Sequence, residues 1–174
     1  MKFRGVLVLA SLSLGVHAWG AGPKGKPAAS KAADKCHTVI EGTDQMQYQQ
    51  DGKKLETLTV PAECEGKVFT VTLKHTGKLP KQAMGHNFVV SETKDMADIV
   101  AEAMKLGPTK NYLPDPKVAP FEGKVLAAGD KLLGGGESED IKIDMKAFKK
   151  GGDYSFFCTF VGHSALMKGK FVVQ

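Results

Sequence analysis

Short runs in which apolar and polar residues alternate dominate the chain after residue 36, and they predict β-strands. The run 68–73 is an example, because its β-branched and aromatic residues partly alternate with polar ones, as in a strand with one buried face. Turn-forming pairs that contain glycine separate many of these runs. The predicted strands are 37–41, 45–49, 68–73, 86–91, 124–128, 140–145, 154–158 and 170–173.

One segment, 95–107, departs from this pattern because its apolar residues recur at helical spacing. Thr93 or Asp95 can cap the start of this helix, and Gly107 followed by Pro108 can end it. Many short strands with regular turns are typical of a sandwich or a barrel. The pattern therefore predicts an all-β domain with one inserted α-helix.

The N-terminal residues 1–18 predict a secretory signal peptide. Lys2 and Arg4 supply the positive start, 6–16 is a short apolar stretch, and small residues at 16 and 18 suit a cleavage site. The apolar stretch is too short to span a bilayer, so a retained anchor is the less favoured alternative. We expect no transmembrane segment in the mature protein.

Residues 19–35 consist largely of Ala, Gly, Pro, Lys and Ser, and they predict a flexible tail. A basic contact for an acidic partner is the alternative interpretation. The signal peptide and the tail carry the excess positive charge, because the remaining domain, 36–174, has 18 basic and 18 acidic residues. No basic run is interleaved with aromatic residues, which argues against nucleic-acid binding.

The densest group of candidate chemistry lies between Cys158 and Met167. This stretch holds a thiol, the imidazole of His163 and a thioether, and a second imidazole, His86, lies far upstream. Two His, one Cys and a weak Met ligand are the set that holds copper in electron-transfer sites. His86 starts one predicted strand and Cys158 ends another, so neighbouring strands can bring the two side chains together.

Other interpretations of this group stay open at this point. Zinc accepts Cys and His, but its structural sites prefer four strong ligands. A catalytic Cys–His pair needs a third, orienting group, and a copper carrier favours sulfur-rich coordination. An enzyme with a catalytic copper would need a second group of His ligands. Only His37 and His75 remain once His17 is removed with the signal peptide and His86 and His163 are assigned.

The chain has three cysteines, an odd number for an exported protein. With Cys158 in the candidate site, Cys36 and Cys64 are left to pair. In the chain-entropy model a disulfide across this loop stabilises the fold by about 3–4 kcal/mol. The sequence alone leaves the pairing open.

Two motifs, 84–90 (MGHNFVV) and 158–169 (CTFVGHSALMKG), resemble the azurins, the bacterial blue-copper proteins of the cupredoxin family. The similarity extends over about residues 35–174. Further features that match in order are Cys36, 42–47, Cys64, His75, 79–81, the helix at 95–107 and 111–113.

The resemblance implies an eight-stranded Greek-key β-sandwich, a Cys36–Cys64 disulfide and one type 1 copper. The implied copper ligands are His86, Cys158, His163, the weak axial Met167 and the backbone carbonyl of Gly85. Asn87 would tie the two ligand segments together with Thr159 and Ser164, and a backbone N–H of Phe160 would bond to the sulfur.

The resemblance also implies a function: periplasmic transfer of single electrons between c-type cytochromes and a nitrite reductase or an oxidase, with no enzymatic activity. An apolar patch would receive these partners transiently. The residues that map to it are Met46, Leu79, Ala83, Met84, Met104, Val161, Gly162 and Ala165. His75 matches a position where protonation can couple to the copper potential, although an ordinary, partly buried His is an equal alternative.

Three features depart from the family pattern. Val161 stands where proline is usual, and it restores a backbone N–H near the thiolate. Phe88 replaces the buried Trp of well-known members, and the chain's one Trp, Trp19, precedes the domain. The N-terminal tail is longer than in the simplest members.

Overall fold

The computed structural model describes residues 34–174, together with Lys2, and these residues form two five-stranded sheets. The strands are β1 (His37–Thr43), β2 (Gln47–Gln50), β3 (Lys53–Lys54), β4 (Thr57–Val60), β5 (Val68–His75), β6 (Val89–Glu92), β7 (Val125–Ala128), β8 (Ser138–Asp144), β9 (Tyr154–Phe157) and β10 (Lys168–Val173). Their orders in the two sheets are β3-β2-β1-β5-β8 and β4-β10-β9-β6-β7. Most neighbouring pairs are antiparallel, whereas β1 with β5 and β10 with β4 are parallel.

The core lies between the two sheets because alternate side chains of each strand point inward. On β5, Phe69, Val71 and Leu73 are fully buried, while the residues between them are partly or fully exposed. The rings of Tyr48, Phe88 and Phe156 form an aromatic cluster in this core, with centroids 5.5–5.9 Å apart. The predicted all-β Greek-key sandwich is confirmed.

The predicted helix is confirmed as α2 (Met96–Leu106), and its apolar face packs on the outside of the second sheet. Ile99 and Ala103 are buried there in a cluster that includes Phe157 of β9. A 3-10 turn, Thr93–Asp95, precedes the helix, and neither of the expected capping side chains accepts a bond from its backbone. Gly107, with φ of 63°, ends the helix as expected.

The strand prediction missed three local features. The short strands β3 and β4, two and four residues long, were not predicted. A one-turn helix, α1 (Lys81–Met84), follows Pro80, which fixes the backbone before its first turn. His86 lies before β6 and not inside it, in an isolated bridge with Leu133.

The expected disulfide between Cys36 and Cys64 is present and ties the start of β1 to the segment before β5. The predicted signal peptide lies outside the described residues apart from Lys2, and so does the predicted tail apart from Asp34 and Lys35. Among the residues that the structure describes, no helix is long and apolar enough to cross a membrane.

Candidate metal centre

Antiparallel pairing of β6 with β9 brings the two predicted ligand segments to the same end of the second sheet. Val89 pairs with Phe157, so the residues just before β6 and just after β9 become neighbours. The ligand atoms of His86, Cys158 and His163 all lie within 4.8 Å of one another, and all three residues are buried. The Cys158 sulfur is 3.9 Å from both His163 Nδ1 and the Gly85 carbonyl oxygen.

The ring of His86 is fixed by elements that are distant in sequence. Its Nε2 donates to the Thr43 carbonyl at 2.9 Å, and its plane stacks on His75 with centroids 4.3 Å apart. Its backbone exchanges hydrogen bonds of 3.0 and 2.8 Å with Leu133. A Cβ on Gly42 would lie 2.6 Å from the Cδ2 of His86, so only glycine leaves room for this ring position.

The other ring nitrogen of His86 identifies what the site is built to hold. Because Nε2 carries the proton, Nδ1 presents a lone pair, and this buried atom has no hydrogen-bond partner among the described residues. An unsatisfied buried polar atom is costly unless a ligand satisfies it. The ligand atoms of His86, Cys158 and His163 lie within 4.8 Å of one another, so a metal ion between them can bind the free lone pair of Nδ1.

The protonation states of these side chains agree with metal binding. Burial lowers the pKa of His86 to about 4, helped by the neighbouring His75, and burial likewise lowers the pKa of His163 to about 4. Both rings are therefore neutral near pH 7, as metal ligands must be. Burial raises the pKa of the Cys158 thiol to about 11, against the opposing effect of hydrogen-bond donors, so a cation must displace its proton.

Hydrogen bonds from Asn87 join the two ligand segments. Its Nδ2 donates to Thr159 Oγ1 at 2.7 Å, and its Oδ1 accepts from the Thr159 backbone at 2.9 Å. The Thr159 hydroxyl donates in turn to the Tyr112 carbonyl at 2.6 Å. Ser164, which we expected to share in this link, makes no hydrogen bond to Asn87 within residues 34–174.

The loop 158–167 is closed mainly by its own backbone. Cys158 N–H donates to the Met167 carbonyl at 3.0 Å, and Met167 N–H donates to the His163 carbonyl at 2.7 Å. Gly162 adopts a left-handed conformation with φ of 77° before a 3-10 turn that begins at His163. This closure holds the fully buried Met167 beside Cys158 along the backbone.

Hydrogen-bond donation from the backbone N–H groups of Asn87 and Phe160 lowers the pKa of the Cys158 thiol, against the larger effect of burial. The added N–H of Val161 is not among these donors, although the sequence places it nearby. Val161 instead turns its side chain outward and is 45% exposed.

Both ring nitrogens of His75 have partners. Nε2 donates to the Met84 carbonyl at 2.7 Å, and Nδ1 accepts from the Gly77 N–H at 3.1 Å. This pair of bonds requires the neutral ring, because a protonated Nδ1 could not accept. A redox-linked protonation of His75 stays a prediction.

Apolar side chains are exposed around the ligand segments. Leu79, Met104 and Val161, which we predicted for the partner patch, are each at least 38% exposed. Leu166 is 54% exposed on the ligand loop and was not predicted. The remaining predicted members are Ala83, Gly162 and Ala165, which are exposed, and Met46 and Met84, which are half-buried.

Sequence reasoning missed one buried residue that contacts a ligand segment, Tyr48. It lies on β2, is only 2% exposed, and its hydroxyl donates to the Asn87 carbonyl. The alternation of the run 46–50 places Tyr48 on the inward face, and a buried tyrosine hydroxyl needs a partner. Together these two facts could have indicated a buried hydrogen bond from Tyr48.

Known proteins resemble this chain over the same residues. The family of copper binding proteins described as the plastocyanin/azurin family matches residues 34–174. An azurin of Pseudomonas aeruginosa is 42% identical over 142 residues, which cover 82% of this chain and 87% of that protein. An azurin of Bordetella pertussis is 45% identical over 137 residues, which cover 79% and 83%.

A solved structure resembles the fold as well. The azurin Az-iso2 from the obligate methylotroph Methylomonas sp. strain J matches with a TM-score of 0.68 and 31% sequence identity. The match covers 81% of this chain and 99% of that one.

Proposed function

The chain belongs to the plastocyanin/azurin family of copper-binding proteins, and from this membership we propose that it transfers electrons in the periplasm between c-type cytochromes and a terminal reductase or oxidase. It is a blue-copper electron-transfer protein and not an enzyme, and its cofactor is copper. The observation that carries this function is the Nδ1 of His86, which has no hydrogen-bond partner in the described part of the chain and is buried with a thiol and a second imidazole.

We propose that the His86 Nδ1, the Cys158 sulfur and the His163 Nδ1 hold the ion, with Met167 and the Gly85 carbonyl as weaker contacts. The position of the Gly85 oxygen near the sulfur and the complete burial of Met167 support this assignment. Bound copper supplies a one-electron Cu(II)/Cu(I) couple. The chain contributes a ligand set held by its fold, so that a change of oxidation state requires little movement of the side chains.

The exposed apolar side chains near the ligand loop support a transient docking surface. His163 itself is buried, but Val161 and Gly162, which precede it, are exposed. Small, weakly binding interfaces are typical of redox encounters. We therefore propose that electrons enter and leave through the loop that carries His163.

Two observations support a periplasmic location of the protein. The sequence of residues 1–18 has the organisation of a secretory signal. The Cys36–Cys64 disulfide forms and persists in an oxidising compartment.

The ligand assignment is tested by the visible spectrum of the copper-loaded protein. The wild type should have an intense thiolate-to-copper band at roughly 600 nm. Cys158→Ser should lose this band while the metal-free variant keeps the far-UV circular dichroism of the wild type. A band that survives in Cys158→Ser, or a colourless copper-loaded wild type, would show that the assignment is wrong.

The docking surface is tested by stopped-flow electron transfer from a reduced c-type cytochrome. Val161→Lys should slow the second-order rate at least tenfold, because a charge in a small apolar interface must be desolvated. Val68→Lys is the matched control. Val68 is 51% exposed and lies at the other end of β5 from His75, roughly 23 Å away. Equal second-order rates in the two variants would show that the docking surface lies elsewhere.

The compartment is tested by fractionating cells that express the full chain. The mature protein should be in the periplasmic fraction with Cys36 and Cys64 oxidised, and a variant without residues 1–18 should stay in the cytoplasm. Finding the full chain in the cytoplasm would contradict this part of the proposal.

A further inference from the structure

The segment that follows helix α2 contains two successive residues in a backbone conformation that side chains rarely adopt. Asn111 and Tyr112 have φ angles of 53° and 56°, both in the left-handed region. Asparagine tolerates this region, but a bulky residue such as tyrosine is a genuine outlier there and raises the energy of the fold. Such strain persists only where surrounding contacts enforce it, and it is concentrated at functional sites. The contacts of Tyr112 must therefore compensate for the strain.

The backbone of Tyr112 is bonded on one side to its own segment and on the other to the ligand loop. Its N–H donates to the Gly107 carbonyl at 3.1 Å, which folds the segment back onto the end of α2. Its carbonyl oxygen accepts the 2.6 Å bond from the Thr159 hydroxyl. Thr159 follows Cys158 directly and is also bonded to Asn87. The left-handed turn thus places a backbone acceptor at the residue next to the candidate sulfur ligand.

The ring of Tyr112 extends the contact towards a second candidate ligand. It meets the Phe160 ring edge-to-face, with centroids 5.3 Å apart and planes at 78°. Phe160 in turn packs on the imidazole of His163, with centroids 4.7 Å apart. Edge-to-face pairs contribute stability beyond the area that they bury. A cleft of about 100 Å³ borders Tyr112, Phe160 and Val161, so Phe160 would have room to move if the tyrosine ring were removed.

We propose that Tyr112 is a positioning residue that holds the start of the ligand loop and, through Phe160, fixes the orientation of the His163 imidazole. The inference rests on the proposed ligand role of His163. The loop's own backbone bonds tie Cys158 to Met167 and Met167 to His163, but they do not restrain the His163 ring. Tyr112 supplies this restraint from outside the loop. A ring held in one orientation needs little movement when the oxidation state of the ion changes.

The test compares the rates at which a chelator removes copper from Tyr112→Leu and from Tyr154→Leu. Leucine keeps an apolar side chain but removes the edge-to-face contact. Tyr154 is the matched control, because its ring meets Phe148 edge-to-face at 5.0 Å and it begins β9, at the end opposite Cys158. Tyr112→Leu should release copper roughly tenfold faster than the wild type, since residues that orient a ligand affect metal binding on this scale. Tyr154→Leu should release copper at the rate of the wild type.

Tyr112→Phe is the conservative variant, because it removes only the hydroxyl and keeps the ring that contacts Phe160. It should release copper at the rate of the wild type. An unchanged rate in Tyr112→Leu would overturn the inference, and so would an equal acceleration in Tyr112→Phe or in Tyr154→Leu. The blue band of the wild type separates these results from a failure of the proposed function, which would remove the band in the wild type itself.

A glycine variant covers the case in which Tyr112→Leu does not fold. Tyr112→Gly adopts the left-handed conformation without strain, so it should unfold at a urea concentration no lower than that of Tyr112→Leu. It should nevertheless release copper faster than the wild type. In the reduced protein, ¹⁵N relaxation dispersion should show new microsecond-to-millisecond exchange at the amides of 160–163. A folded Tyr112→Gly with the release rate and the loop dynamics of the wild type would overturn the inference.

Discussion

The two segments that supply the candidate ligands are held in different ways. His86, in the segment 85–87, is fixed by Thr43, His75 and Leu133, which come from three separate parts of the chain. The loop 158–167 is closed chiefly by bonds between its own residues. The first segment is thus positioned by contacts with distant parts of the chain, and the second by its local turns. Substitutions in the two segments should therefore have different consequences.

The largest expected effect comes from removing the connection between the two segments. Asn87→Ala deletes both hydrogen bonds to Thr159 and leaves a buried backbone N–H without a partner. We expect the free energy of unfolding to fall by about 2–4 kcal/mol, measured by urea denaturation of the metal-free protein. Gln47→Ala is the control, because its side chain accepts one 3.3 Å hydrogen bond from Gln49 and makes no other side-chain hydrogen bond within residues 34–174. Equal losses in both variants would contradict the linking role.

Acid should destabilise the metal-free protein through both segments. A histidine in the unfolded chain titrates near pH 6.5, whereas burial lowers the folded pKa of His86 and of His163 to about 4. The unfolded chain therefore binds more protons in this window. The stabilising effect of the neutral rings is complete above pH 6.5 and is lost as the pH falls towards 4.

His86 alone should account for a loss of roughly 2 kcal/mol by pH 5. Urea denaturation of the metal-free protein between pH 7.5 and 5 measures the effect. His86→Gln should make the dependence on pH shallower, whereas His37→Gln, at an exposed position, should not. The same pH dependence in both variants would refute the assignment to the buried ring.

Two glycine substitutions compare the segments directly. Gly42→Ala forces a Cβ to within 2.6 Å of the His86 ring, which its stacking and its hydrogen bond hold in place. We expect a loss of about 1–3 kcal/mol and weaker copper binding. Gly162→Ala meets no described atom within 4 Å and should cost only about 1 kcal/mol, from its left-handed backbone.

Urea denaturation and competitive copper titration give both values for each variant. A larger loss of copper affinity in Gly162→Ala than in Gly42→Ala would reverse the comparison.

The sequence identified the donor residues because their chemical types and spacing are unusual together. His86, Cys158 and His163 do converge, and Cys36 pairs with Cys64. Strands with a clear alternation of burial, such as β5, were located within one or two residues. These features depend on local patterns, which a single sequence contains.

The remainder depends on contacts between distant residues. The sequence did not show that His86 lies in a bridge with Leu133, or that Gly42 faces its ring. Strand β4 was missed because its four residues are stabilised by parallel pairing with β10. The hydrogen bond of the Tyr48 hydroxyl was missed because its acceptor, the Asn87 carbonyl, lies just before β6, a strand of the other sheet.

The backbone bond between Cys158 and Met167 has a consequence for protein engineering. It closes the loop at its base, so that the intervening residues form a replaceable cassette between β9 and β10. We expect that cassettes of other lengths and sequences that keep a histidine ligand can be grafted between the same two anchor points without a change in the aromatic core. The fold thereby separates the part that determines robustness from the part open to redesign.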